Sequence, residues 1–170
     1  MKLTKLEEQG MRLAMCLARK GGQMTLPELA GREGLSEALV AKVLGKLRAG
    51  GVVNALRGRN GGYELATDPA ELSVGVILRS LGRPLLDGCF TGSVGQRKTP
   101  CPHVSDCSIR PVWEFIEQQI ENVLDQITLS DLILRENDVR DQLARIDIAA
   151  RGPAGADYVG RAVCAPKRSR

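Results

Sequence analysis

A chain of 170 residues with a net charge of +4 is long enough for one domain, or one small domain with an appended helix, which excludes a large two-domain enzyme. Hydrophobic residues make up 43% of the sequence but aromatic residues only 3%, so the core must be built from Leu, Val, Ile and Ala. This composition is more typical of helical packing than of a β-sandwich, and we expect a mostly α-helical protein.

The charges are distributed unevenly along the chain. Residues 1–66 carry a net charge of +5, residues 112–147 carry −6 and residues 148–170 carry +4. A basic first third suggests that the N-terminal part binds a polyanion, although ordinary solvated charge would give the same count. The sequence has no apolar run of 18 residues and meets charge before any signal-peptide core, which predicts a cytoplasmic location.

Two helices are expected before residue 35. Apolar residues recur at helical spacing over residues 6–17, and Gly21-Gly22 ends this run. The stretch Thr25–Glu28 has the form of a capping box with proline near the first turn, and it begins a short second helix.

A third helix and a hairpin complete a recognisable arrangement. Ser36 is predicted to cap the third helix, and only Gly34 and Leu35 separate it from the second, as in a helix-turn-helix. Two short strands over Val52–Leu56 and Tyr63–Leu65 then flank a Gly/Asn-rich turn. The core-facing residues of the third helix are Leu39, Val40, Val43, Leu44 and Leu47. Three helices followed by a hairpin predict a winged helix-turn-helix.

Beyond the hairpin, the helical pattern is interrupted once. Ser73 is predicted to cap a fourth helix that runs to Leu81, and Pro111 begins a longer apolar helix that continues to Ile127. A cap at Ser130 predicts one more short helix. Because so small a domain offers the long helix nothing large enough to pack on, a second copy of the chain is expected to cover its apolar face.

These elements divide the chain into four segments. Residues 1–81 are predicted to form the winged DNA-binding domain, and residues 82–110 a long loop that contains three cysteines. Residues 111–150 are predicted to form a dimerisation helix with a following helical segment, and residues 151–170 a disordered basic tail. The expected fold class is therefore mostly α, with a two-stranded wing and a long C-terminal dimerisation helix.

The hairpin and the third helix supply candidate DNA contacts. Arg57 and Arg59 lie on the glycine-rich tip, where small neighbours let a guanidinium approach phosphates or enter a narrow minor groove. On the third helix, the positions opposite the apolar stripe would face the major groove. The candidates there are Ser36, Glu37 and Ala41 for base edges, and Lys42 and Lys46 for phosphates. The alternative interpretation is a solvated helix face and a flexible hairpin.

Three of the five cysteines share the long loop. Cys89, Cys101 and Cys107 have the spacing C-x(11)-C-x(5)-C, and in a reducing cytosol such a group indicates a metal or redox site rather than a disulfide framework. Three thiolates suit an iron–sulfur cluster, and with His103 as fourth ligand they suit zinc. Spacing alone leaves both open, together with three unrelated thiols.

The remaining reactive residues argue against catalysis. His103 is the single histidine, which leaves little general acid–base chemistry for an enzyme. Cys16 is expected to be a small buried hydrophobe in the first helix, and Cys164 lies in the predicted tail. A small iron–sulfur redox protein is the alternative from a different functional class, but it gives no reason for the two arginines of the wing.

Five separated stretches of sequence are informative together. They are MKLTKLEEQGMRLAMCLA at the N-terminus, LRGRNGGYELA in the wing, ELSVGVILRSL after it, CPHVSDCSIRPVW at the end of the cysteine loop, and LDQITLSDLI. In this order they resemble the Rrf2 family of bacterial transcription regulators over about residues 1–135. Members include an iron–sulfur biogenesis regulator, a nitric-oxide-sensing repressor and an iron-responsive repressor. The resemblance implies a homodimer of winged helices that binds a palindromic promoter site.

The resemblance also implies a cofactor. In cluster-binding members three loop cysteines hold an iron–sulfur cluster, of the [4Fe-4S] or [2Fe-2S] type, and the three loop cysteines of this chain match them, with a longer first gap. Arg110 stands where one member has a histidine ligand, so that ligand is not carried over. In the nitric-oxide sensor an acidic residue of the partner subunit is a cluster ligand. The resemblance implies that Glu8 occupies the position of that residue. Glu8 and His103 are thus competing candidates for the fourth ligand.

The expected function follows from these parts. A homodimer must place its two recognition helices about one DNA turn, ~34 Å, apart, so a small rotation of the heads weakens operator binding. A cluster held between the heads and the dimerisation helix would make DNA affinity depend on iron, nitric oxide or redox state. The alternative is a DNA-binding regulator with a zinc site or a thiol switch in place of the cluster.

Overall fold

The structure is a computed structural model, and it describes residues 4–58, 61–82 and 106–146. In these ranges the elements are α1 (Lys5–Lys20), α2 (Leu26–Glu33), α3 (Glu37–Ala49), β1 (Val53–Leu56), β2 (Gly62–Leu65), α4 (Val74–Ser80), α5 (Arg110–Gln126), α6 (Leu129–Leu132) and α7 (Glu136–Leu143). The order of three helices, an antiparallel hairpin and further helices confirms the predicted winged-helix class.

Local signals set most of the helix ends. Thr25 and Glu28 form the predicted capping box, and Ser36 and Ser73 accept hydrogen bonds from backbone N–H groups in the first turns of α3 and α4. Gly21 and Gly34 end α1 and α2 with φ of 66° and 65°, a left-handed conformation that favours glycine. These five predicted caps are confirmed.

The cap predicted at Ser130 is wrong. Thr128 caps α6 through a box with Asp131: the carboxylate accepts from Thr128 N at 2.8 Å, and the Thr128 hydroxyl accepts from Asp131 N at 3.4 Å. The Ser130 hydroxyl lies 2.7 Å from that of Thr128 and is tied to the box. The reason is that only Thr128 has a carboxylate three residues later, which satisfies two terminal N–H groups reciprocally.

Both strands of the wing begin one residue away from their predicted starts, and β1 begins at Val53 rather than Val52. β1 and β2 pair Val53 with Leu65 and Leu56 with Gly62, so the second strand begins one residue before the predicted Tyr63. Met24, between α1 and α2, exchanges two backbone hydrogen bonds of 2.7 and 2.9 Å with Tyr63. A Cβ at Gly62 would lie 2.5 Å from the carbonyl oxygen of Met24, so this close approach requires glycine. The wing is thereby tied to the helical body.

In the part of the chain that the structure describes, one apolar core joins α1–α4 and α6 to the hairpin. Its fully buried members include Leu13, Leu17, Met24, Leu29, Val40, Val43, Leu44, Leu47, Val52, Ile77, Leu81 and Leu129. Leu129 comes from α6, so the chain after the long helix returns to close the core of the winged domain. α5, by contrast, has no buried residue. None of the helices in the described ranges is long and apolar enough to span a membrane.

Truncating the core-facing stripe of α3 is expected to destabilise the whole domain. Leu44 is completely buried, and Leu44→Ala should lower the free energy of unfolding by about 2–5 kcal/mol, because it removes buried methyl groups and leaves a cavity. Urea unfolding measures this change. Lys42→Ala, an exposed change on the same helix, is the control and should alter stability by about 0.5 kcal/mol at most. Equal effects of the two changes would contradict the assignment of the buried face.

Candidate DNA-binding surface and thiol site

The outer face of α3 carries several of the predicted DNA contacts. Glu37, Ala41 and Lys42 are exposed, whereas the stripe on the opposite side of the helix is buried. The Ser36 hydroxyl accepts from Leu39 N at 3.4 Å as the N-cap, and its own proton remains available to donate. The structure therefore brings these four residues together at the start and along one side of α3.

Lys46 occupies a different environment. It is half-buried, and its Nζ donates a hydrogen bond of 3.2 Å to the carbonyl oxygen of Leu81, at the end of α4. Lys42, one helical turn earlier, is exposed. Helical periodicity placed the two lysines on the same side, but only Lys42 is directed entirely to solvent.

Of the two arginines predicted for the wing, the structure describes Arg57. Arg57 follows β1 directly and is exposed, and Gly58 beside it has a φ of 112° that an L side chain rarely adopts. Gly61 N donates to the Gly58 carbonyl oxygen at 2.9 Å and closes the turn. Arg59 lies outside the described residues. In the described part of the turn, the backbone next to Arg57 therefore has a conformation that favours glycine.

Glu8 lies on the exposed side of α1 near a stronger ion pair. Arg12 Nε lies 2.9 Å from Glu33 Oε2, and Arg12 Nη2 donates to the Glu33 carbonyl oxygen at 2.8 Å. Glu8 Oε1 is 4.0 Å from Arg12 Nη1, and its side chain is 58% exposed. Because Glu33 is the main partner of Arg12, the Glu8 carboxylate can leave its weak contact with Arg12 and bind a different cation at a small cost in free energy.

Of the three cysteines predicted to form a metal or redox site, the structure describes Cys107. Cys107 is half-buried just before α5, and its carbonyl oxygen accepts from Arg110 N at 3.1 Å. Cys89, Cys101 and His103 lie outside the described residues. Within the ranges that the structure describes, three His, Cys, Asp or Glu side chains do not come together as a metal site.

Cys16 is a structural thiol, as the sequence predicted. It is buried in the core, and its Sγ lies 3.9 Å from Met24 Sδ. Burial raises the pKa of the Cys16 thiol, and the negative charge of Glu33 raises it further. Because the thiolate is the nucleophile and metal ligand, Cys16 is unsuited to either role.

Backbone hydrogen bonds fasten the end of α5 to the winged domain. Val74 N donates to the Ile127 carbonyl oxygen at 2.8 Å, and Leu129 N donates to that of Leu72 at 2.8 Å. The C-terminal end of the long helix is thus part of the same body as the DNA-binding helices. No local sequence pattern indicates this joint.

An ion pair strengthens that joint. Arg79 Nη2 lies 2.7 Å from Asp125 Oδ1, Nη1 lies 3.2 Å from Oδ2, and the Ser73 hydroxyl donates to Oδ1 at 3.2 Å. The hydrogen bond to Asp125 raises the pKa of the Arg79 guanidinium, and the negative charges of Asp125 and Glu121 act in the same direction. Both partners are about half exposed, so the pair orients α5 more than it stabilises the fold.

The N-terminal part of α5 exposes apolar side chains. Ile109, Val112 and Phe115 are 51%, 51% and 54% exposed, and the apolar residues that follow on α5 are only half-buried. An exposed row of large apolar residues on one helix marks an interaction surface. We call Ile109, Val112 and Phe115 the α5 apolar face.

Comparisons with known proteins agree with this arrangement. The Rrf2 family profile, described as iron-dependent transcriptional regulator, matches residues 3–135. A putative HTH-type transcriptional regulator of Haemophilus influenzae is 29% identical over 125 residues, which cover 74% of this chain and 80% of that protein.

Solved structures give the same result. IscR of T. potens is 30% identical with a TM-score of 0.57, over 86% of this chain and 93% of that one. CymR, the global cysteine regulator of B. subtilis, is 28% identical with a TM-score of 0.58, over 78% of this chain and 96% of that one. These relatives are regulators rather than enzymes, as the sequence predicted. The chain therefore belongs to the Rrf2 family of DNA-binding transcription regulators.

Proposed function

We propose that the protein is a homodimeric regulator that binds a palindromic promoter site in the cytoplasm, with an affinity set by an iron–sulfur cluster on Cys89, Cys101 and Cys107. The observation that carries the proposal is the position of Cys107. It lies three residues before Arg110, the first residue of α5, whose other end is hydrogen-bonded to the winged domain. A ligand on this thiol is thus attached to the element that links the DNA-binding head to the dimer.

The DNA-binding step uses the exposed face of α3 and the wing. Ser36, Glu37 and Ala41 lie where base edges would be read, and Lys42 lies where a phosphate would be contacted. Arg57 and Arg59 of the wing are our candidates for contacts with the adjacent groove or backbone. Two copies of this surface, about one DNA turn or ~34 Å apart, match a two-fold symmetric site.

The dimer is proposed from the α5 apolar face. A second copy related by two-fold symmetry would cover the same residues on both chains. The face lies near the start of α5, whereas the joint to the head lies at its end. The orientation of the two heads therefore depends on how α5 and the segment before it are held.

The donor set fits the proposed cluster. Three thiolates are the ligands that iron–sulfur clusters prefer, and Cys107 is a free, half-buried thiol. The exposed Glu8 carboxylate of the partner subunit is our candidate for the fourth ligand, with His103 as the competitor. When bound, the cluster supplies a centre that gains or loses ligands as iron, nitric oxide or redox conditions change. The residues of this chain that hold the cluster then change the relative orientation of the two DNA-binding heads.

A thiol switch is the second candidate. It is favoured by the similarity to CymR of Staphylococcus aureus, of which a structure of the oxidized form has been solved. Zinc on the same cysteines is a variant of this alternative.

Anaerobic purification and reconstitution test the proposal. Iron and sulfide in the protein, together with a DNA affinity that differs between the cluster-loaded and cluster-free forms, are the expected results. A colourless protein without iron after reconstitution would exclude the cluster. Thiol counting and zinc analysis then separate the two alternatives.

The wing arginine has a measurable expected effect. Arg57→Ala should weaken operator binding by about 1–3 kcal/mol if the side chain reads a groove. If it touches phosphates, the change should instead lower the slope of log affinity against log salt by about 1.8, since each dimer loses two contacts. Arg145→Ala is the control, because Arg145 is exposed beyond the end of α7. Titration of labelled DNA at several salt concentrations measures both quantities, and an unchanged affinity and slope would remove the wing from the interface.

A further inference from the structure

The end of α4 is held tightly by its neighbours. Leu81 is 1% exposed, and its side chain packs on Gly10 of α1, where a Cβ would lie 2.6 Å from Leu81 Cδ1. Ser80 packs even more closely against Gly50, at the end of α3. The last turn of α4 is thus wedged between the first helix and the recognition helix.

Lys46 adds a directed polar contact to this packing. Its ammonium donates to the Leu81 carbonyl oxygen at 3.2 Å, one of the carbonyls that the end of a helix leaves without an intrahelical partner. A cation at this end also interacts favourably with the helix dipole. The half-buried position of Lys46 makes this contact a defined one, unlike the solvated ammonium of Lys42.

The place of this contact in the chain is important. Leu81 and Gly82 are the last described residues before the segment that contains Cys89 and Cys101. Cys89 follows Gly82 by seven positions in the sequence. The Leu81 carbonyl, which accepts the hydrogen bond from Lys46 of α3, therefore lies one residue before the last described residue ahead of this segment.

We propose that Lys46 is a positioning residue that holds the recognition helix to the start of the cysteine segment, and that it is not a ligand of a DNA phosphate. Its role in transmitting the state of the loop rests on the proposed function. Its contact with α4 does not, and the two parts are tested separately.

The first test uses the full-length, cluster-free protein and a mixed-sequence DNA duplex long enough for two half-sites. Binding to such DNA is dominated by phosphate contacts, so losing one lysine from each subunit lowers the slope of log affinity against log salt by about 1.8. We expect that decrease for Lys42→Met and a wild-type slope for Lys46→Met. A decrease for Lys46→Met as large as that for Lys42→Met would overturn the assignment.

The second test follows amide hydrogen exchange at Leu81 and Gly82 in the same protein. These amides donate to Leu78 and Arg79 carbonyl oxygens in the last turn of α4. Losing the Lys46 contact should speed their exchange about 2- to 10-fold, the factor that corresponds to one hydrogen bond. Lys42→Met should leave it unchanged, and Lys46→Arg, which keeps a cationic donor, should restore part of the protection. Unchanged exchange in Lys46→Met would also overturn the assignment.

The third test addresses transmission, using a promoter fragment that the wild-type protein binds. The ratio of affinities between cluster-loaded and cluster-free protein should move toward 1 in Lys46→Met and stay at the wild-type value in Lys46→Arg. A wild-type ratio retained in Lys46→Met would refute transmission through this residue. A ratio of 1 in the wild type would instead refute the proposed function, and the salt and exchange measurements would still decide the contact of Lys46.

Discussion

Replacing Phe115 by Asp is expected to convert the protein to a monomer and to weaken operator binding by about 100-fold or more. Phe115 is 54% exposed on the α5 apolar face, and a buried aromatic residue is a typical energetic centre of an interface. An unpaired carboxylate at this position would lose its hydration on association, which is strongly unfavourable. The loss in DNA affinity follows because the second head no longer binds as part of the same molecule.

Sedimentation analysis and DNA titration of the same preparation measure the two effects. Leu143→Asp is the matched control: Leu143 is also apolar and 44% exposed, but it lies on α7. Phe115→Leu, which keeps an apolar side chain, should remain dimeric. If Phe115→Asp stays a dimer with wild-type affinity, another surface joins the subunits.

Local sequence signals were sufficient for most of the fold. The box at Thr25, the caps at Ser36 and Ser73, and the glycines that end α1 and α2 each act within four residues of chain, so a reader of the sequence has all the interacting groups in view. The error at Ser130 has the same origin, because two capping residues stand close together and only Thr128 has the carboxylate that completes a box.

Contacts between distant parts of the chain could not be predicted in this way. Arg79 and Asp125 are 46 residues apart, and Lys46 and Leu81 are 35 residues apart. Periodicity gives the direction of a side chain around its own helix, but it does not show that another helix ends beside it. The outer face of α3 was therefore predicted correctly as a surface, whereas the half-buried environment of Lys46 required the tertiary structure.

The packing of the long helix also has one part that local sequence predicts and one part that it does not. Its apolar stripe predicted both the helix and an unpartnered face, and the structure leaves α5 without a buried residue. The return of Leu129 into the winged core had no local signature, because an isolated leucine in a short helix does not indicate which core it joins.

The largest expected effect on the cofactor comes from Cys107→Ala, which should abolish iron binding and the dependence of DNA affinity on the cluster. Loss of a partner that only supports a metal ligand already costs about 10–100-fold in metal affinity, and loss of a ligating thiolate should cost more. The fold should survive, because Cys107 is half-buried ahead of α5 and does not belong to the core.

Iron and sulfide analysis of Cys107→Ala after anaerobic reconstitution measures the loss of iron, and thermal unfolding of the cluster-free protein measures the survival of the fold. Cys164→Ala, outside the loop trio in the sequence, is the matched control and should keep its iron. Iron retained in Cys107→Ala at the wild-type level would remove this thiol from the site, whereas global unfolding of the variant would indicate a structural zinc site, since such sites contribute directly to folding.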